Sequence, residues 1–144
     1  MEIVRRTTDA MQGALERYDL DADVDVEAIA TEFDAESLAV PDIELIPAPE
    51  VPGVESYRGI AGLVEFMRTW TENFEDWSNE YDRFIDAPDD RVVALARQSA
   101  TGKGSGAPVE LDYGLVFELR NRRVIRIRLF LEPAQALEAA GLSE

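Results

Sequence analysis

The chain has 144 residues, enough for one domain with a real hydrophobic core, and 46% of them are hydrophobic. Fourteen lysines and arginines stand against thirty acids, a formal net charge of −16 that repels nucleic acid and anionic membranes. Cysteine and histidine are absent, which excludes disulfides, thiolate nucleophiles, imidazole bases and the commonest transition-metal ligands. In chain order, "RRTTDAMQGALERY" has helical spacing at Ala10, Met11, Ala14, Leu15 and Tyr18, with Thr7 or Thr8 as its cap. "DLDADVDVEAIATEF" is an acidic loop entering a second helix capped by Asp25. Residues 42–47 are a short strand, followed by a loop with several prolines and glycines. Ile60, Leu63, Val64, Met67, Trp70 and Phe74 then form the apolar stripe of a third helix.

Four strands follow, at 77–87, 92–102, 109–120 and 123–133. "DDR" turns the first pair, "KGSGAP" the second, and Asn121, Arg122 and Arg123 form the last tip. In the fourth strand Ile125, Ile127, Leu129 and Leu131 alternate with Arg126, Arg128 and Phe130, so one face is aliphatic and the other carries two cations. A three-residue tip sets Glu118 opposite Arg126, a cross-strand ion pair worth about 0.2–1 kcal/mol. Pro133 opens a last helix and Gly141 ends it. Helices before an antiparallel meander give the α+β class, in one domain over 1–144.

Two local patterns carry no site. Asp21, Asp23, Asp25 and Glu32 fall at calcium-hand positions, but the turn position that needs glycine is Val26. "TGKGSG" lacks the P-loop spacing and leads into a strand. No metal and no cofactor is expected.

The strings "PAPEVPGVESYRGIAGLVEFMRTW", "DDRVVALARQSATGKGSG", "VFELRNRRVIRIR" and "QALEAAGL", in this order, resemble the SnoaL-like, polyketide-cyclase-related branch of the nuclear transport factor 2-like superfamily. The resemblance implies a cone: a curved antiparallel sheet wrapped around the N-terminal helices, enclosing a deep pocket. It also implies a homodimer through the convex sheet face, where Val116, Val124 and Phe130 stand on the outward parity beside Arg126 and Arg128. The expected setting is the cytoplasm.

Alignment with family enzymes puts Tyr18 where ketosteroid-isomerase-like proteins keep an oxyanion-stabilising tyrosine. The two carboxylate positions of that pattern fall on Ile46 and Leu115. The cyclase-like His-x-Asp falls near Ile127 and Leu129, and an Arg-x-Asp pattern at Arg97 lacks its acid. No catalytic residue is assigned. The ligand-lining candidates are Tyr18, Glu44, Tyr57, Trp70, Arg97, Tyr113, Phe117, Ile127 and Leu129. Tyr57 closes the mouth and Trp70 forms a wall. Arg97, a cation among aliphatic neighbours, anchors a ligand or pairs with an internal acid such as Glu44. A buried Glu44 would be a competent base. The leading reading is a domain binding a small apolar molecule without turnover. A cyclase, isomerase or hydrolase, and a structural homodimer with a vestigial pocket, are the alternatives.

Overall fold

A computed structural model describes residues 2–17, 26–35, 39–48, 56–71, 74–102 and 104–142. The elements are α1 (Glu2–Arg17), α2 (Val26–Ala35), β1 (Ala39–Ile46), β2 (Tyr57–Arg58), α3 (Gly59–Thr71), β3 (Phe74–Ala87), β4 (Arg91–Gly102), β5 (Pro108–Arg120), β6 (Arg123–Phe130) and α4 (Pro133–Ala139). The six strands form one curved sheet in the order β2-β1-β6-β5-β4-β3. All neighbours are antiparallel except β1 and β6, which run parallel. Among the described residues no helix is long and apolar enough to cross a membrane.

Period-two side-chain alternation gives the sheet two buried faces. On the inner face Val92, Ala94, Tyr113, Leu115, Phe117 and Ile127 pack against Val4 of α1, Ile29 of α2 and Leu63, Val64 and Met67 of α3. On the outer face Val93 and Val116 pack against Ala136, Leu137 and Ala140 of α4. Gly114 permits this close approach, since a Cβ there would lie 2.5 Å from the Ala136 Cβ. Pro133 starts α4 as the sequence predicts, and Gly141, at φ 81°, ends it. The Leu142 amide donates to the Leu137 carbonyl at 2.8 Å and the Gly141 amide to Glu138 at 3.0 Å. Arg91 donates through Nη1 to the Ala139 carbonyl at 3.0 Å, holding the end of α4 to β4.

Several local expectations are corrected. Thr7 and Thr8 are buried inside α1 and cap nothing. Their hydroxyls donate back to the Ile3 and Arg5 carbonyls at 2.7 and 2.8 Å, which satisfies each inside a helix that begins five residues earlier. Phe74 opens β3 and does not belong to the stripe of α3. Asp25 and the acids at 21 and 23 lie outside the described residues. The β5–β6 tip has two residues, Asn121 and Arg122, both left-handed (φ 52° and 64°), because Arg120 pairs with Arg123. A bulge then absorbs one residue: Leu119 faces Val124 while Glu118 still faces Arg126. The bulge turns Val124 inward, fully buried in the main core, against its expected outward parity. It also takes Ile125 out of the aliphatic face, leaving it half-exposed beside the basic groove described below.

The Glu118–Arg126 pair forms as predicted, at 3.1 Å. Arg128 lies over the Phe130 ring at 5.2 Å on the outer side.

Candidate functional site

Of the candidate residues, the register brings Tyr113, Phe117, Ile127 and Leu129 together on the inner face. Phe117 pairs with Ile127, and Leu115 between them pairs with Leu129. Phe117 and Ile127 are wholly enclosed, whereas Tyr113 and Leu129 keep a small exposed fraction. Tyr57 is buried on β2, its ring edge-on to Phe66 of α3 with centroids 5.4 Å apart. Tyr18 lies outside the described residues. Trp70 belongs to α3, but its side chain is outside them too.

Two candidates face the other way. Arg97 stands on the outer face, 56% exposed, and its guanidinium grips Asp112 through two bonds, Nε to Oδ1 at 2.7 Å and Nη2 to Oδ2 at 3.3 Å. The cause is parity: Val93, Leu95 and Arg97 share one face of β4, and it is the face that α4 packs on. The hydrogen bond from Arg97 holds the Asp112 carboxyl below its usual range. Glu44 is likewise on the outer side, because Ile43 and Leu45 take the core positions of β1. Its carboxylate accepts from Arg126 at 2.9 Å and from Arg58 at 3.4 Å. Arg126 also donates to Glu118, so four charged groups from β1, β2, β5 and β6 form one row. A glutamate held by two guanidiniums is a structural acid, and a base role for it is withdrawn.

The inner face carries a polar cluster that the strand patterns did not single out. Asn79 pairs with Gln98, and Tyr113 with Ala96, so β3, β4 and β5 bring three polar side chains to one place. The Tyr113 hydroxyl and the Gln98 amide both donate to Asn79 Oδ1 at 3.1 Å. Tyr81 lies close enough to Tyr113 for the two phenols to influence each other, and it stacks on Phe84 with centroids 5.8 Å apart. A register shift between Tyr81 and Arg83 lets Tyr81 and Phe84 both pack on the inner core. Arg5 of α1 caps the Phe84 ring at 4.3 Å. Reading β3 by strict alternation misses this, although Asn79 and Tyr81 share a parity and were the available signal.

Burial raises both phenol pKa values, that of Tyr113 far above the ordinary value of 10.0. Both phenols therefore keep their protons; that of Tyr113 goes to Asn79, which leaves its oxygen to accept from a ligand hydroxyl. Beside them, Leu115, Leu129 and Met67 supply apolar surface. Such an arrangement can orient one hydroxyl of a mostly apolar molecule. Among the described residues no group of three or more carboxylates is placed to hold a metal ion.

A curved sheet with α1, α2 and α3 packed on its inner face has the nuclear transport factor 2-like fold, and solved structures share it. An NTF2-like protein of unknown function from Burkholderia pseudomallei is 18% identical, with 97% of this chain and 98% of that one covered and a TM-score of 0.64. TerC, co-crystallised with polyporic acid, is 17% identical over 97% of this chain and 98% of its own, with a TM-score of 0.65. A protein of ketosteroid isomerase-like fold from Catenulispora acidiphila, in complex with trimethylamine, is 15% identical over 81% and 82%, with a TM-score of 0.58. A search of curated proteins finds no match. The SnoaL-like domain family matches residues 9–127, and the chain belongs to it.

Proposed function

We propose that this chain binds a small, mainly apolar molecule against the inner face of its sheet and does not turn it over. The observation that carries the reading is the neutral cluster of Tyr81, Tyr113, Asn79 and Gln98 set beside an aliphatic wall. Neutral polar groups fix the orientation of a hydroxyl, and the apolar wall supplies the affinity. Relatives of this fold crystallised with polyporic acid and with trimethylamine support a small organic ligand. A cyclase, isomerase or hydrolase built on the same face would use Tyr113 as a neutral hydrogen-bonding group and not as a proton donor, since burial raises its pKa. The reading takes the cytoplasm as its setting.

The test uses 1-naphthol, an aromatic body with one hydroxyl. Calorimetry should show saturable binding, weakened about fivefold to tenfold by Tyr113→Phe through the loss of one hydrogen bond worth about 1 kcal/mol. Equal affinity in the two proteins would remove Tyr113 from the site.

Assembly belongs to the same proposal: a twofold homodimer joined through the outer sheet face. The chain covers part of that face itself, since α4 lies over Val93 and Val116. Half-exposed Arg128 and Phe130 remain as the mixed polar and aromatic surface that suits an interface. Light scattering should give twice the 16.1 kDa chain mass. A 16.1 kDa species at every concentration would end this part of the proposal.

A further inference from the structure

The tip of the β5–β6 hairpin gathers positive charge in a strongly acidic chain. Five of the fourteen basic residues fall between positions 120 and 128, and three of them, Arg120, Arg122 and Arg123, within four. The register sets Arg120 directly across from Arg123, and like charges opposed in a strand pair repel each other. Parallel β1 brings Glu44 beside Arg126, and β2 adds Arg58 on its other side. Between them runs a groove of about 390 Å³, lined by Asp42, Glu44, Arg58, Arg120, Arg123 and Arg126 among others.

Six charged groups of this lining comprise four guanidiniums and two carboxylates, an excess of two positive charges. Glu44 is committed: one oxygen takes Arg126 and the other Arg58. Glu118, behind it, is committed to Arg126. Arg120 and Arg122 are both exposed, and neither has a hydrogen bond or ion pair among the described residues. The fold therefore holds four guanidinium forks around one groove and leaves one of them, Arg120, unspent, with the unspent Arg122 two positions along the same hairpin tip.

We propose that this groove binds a small oxyanion of the phosphate type, either free or carried on a small organic molecule. A guanidinium presents two parallel N–H donors that match a pair of phosphate oxygens, and a tetrahedral anion can accept from more than one fork. Two negative charges would cancel the local excess and relieve the repulsion across the Arg120–Arg123 pair. Long-range attraction plays no part, because the chain as a whole repels anions. The site works within a Debye length, through contact with arginines already in place. It lies on the outer side of the sheet and is independent of the tyrosine cluster.

The test compares the unmodified protein with an Arg120→Gln, Arg122→Gln double variant, titrated with inorganic phosphate at ionic strength held constant with chloride. A saturable rise in melting temperature is expected for the unmodified protein, with apparent affinity at least about tenfold weaker in the variant, the loss of two charge-assisted contacts. In chloride alone the variant should melt at the same temperature or higher, because its substitutions remove a repulsion. A parallel titration with phenyl phosphate separates the two sources. Tighter binding than inorganic phosphate assigns the groove to a phosphate carried on an organic body, and equal binding assigns it to the free ion. A response no larger than that to chloride, a response the variant retains in full, or a variant that melts lower in chloride would overturn the proposal.

Discussion

Replacing Phe117 by alanine should lower the free energy of unfolding by about 3–5 kcal/mol, the range for truncating a large aromatic residue in a packed core. Among the described residues Phe117 is the largest fully enclosed side chain. It sits in the middle of β5, between Val92 of β4 and Ile127 of β6, in the cluster that joins the sheet to its three inner helices. The surrounding strands are fixed by their ladders and cannot close over the space left by a ring. The cavity cost therefore adds to the lost transfer energy. Denaturant unfolding checks this, with Val109→Ala as a control at an exposed position and an expected change within about 0.5 kcal/mol. A Phe117→Ala midpoint close to that of the control would mean that the inner core is not where stability resides.

Valine at Gly114 should undock α4. A Cβ at this position would stand 2.5 Å from the Ala136 Cβ and 3.4 Å from a Leu95 methyl, so the helix must move. Forcing extra methyl groups into such a contact costs about 1–3 kcal/mol. Seven residues are too few to form a helix unaided, so α4 exists because Ala136, Leu137 and Ala140 bury themselves on Val93 and Val116. Once displaced, it also loses the Arg91 contact to the Ala139 carbonyl. Hydrogen exchange should show residues 136–142 losing protection while the inner strands keep theirs. Unchanged protection of α4 in Gly114→Val would contradict the close packing on which the outer face is built.

The order of elements was legible because each has its own period. The stripe of α3 and the alternation of β4 to β6 can be read without knowing what they pack against. Facing was harder to read. In β4, Val92, Val93 and Ala94 are all buried, so both faces of the strand look like core and alternation cannot say which is inner. Arg97 was placed inside for that reason, while α4, far along the chain, decides the matter. Bulges are the second cause. The extra residue in β6 reverses the facing of Val124, and the shift in β3 brings Tyr81 and Phe84 to one side. A bulge is a property of two paired strands and leaves no mark in either one alone.

The site follows the same division. Tyr113, Phe117, Ile127 and Leu129 could be grouped from strand parity. Asn79 and Gln98 became partners only through the long-range pairing of β3 with β4. The sequence offers Arg97 and not Arg126 as the partner of Glu44, because the parallel β1–β6 pairing that gives it Arg126 spans more than eighty residues. No local pattern reports a contact at that separation.

Ligand binding on the inner face is the central claim, and amide NMR during titration with 1-naphthol tests it most directly. The account predicts saturable shifts at Asn79, Tyr81, Ala96, Gln98, Tyr113, Leu115 and Leu129, with β1, β2 and the β5–β6 tip unmoved. Saturable shifts confined to the outer face, or no saturable shift anywhere on the sheet, would contradict it.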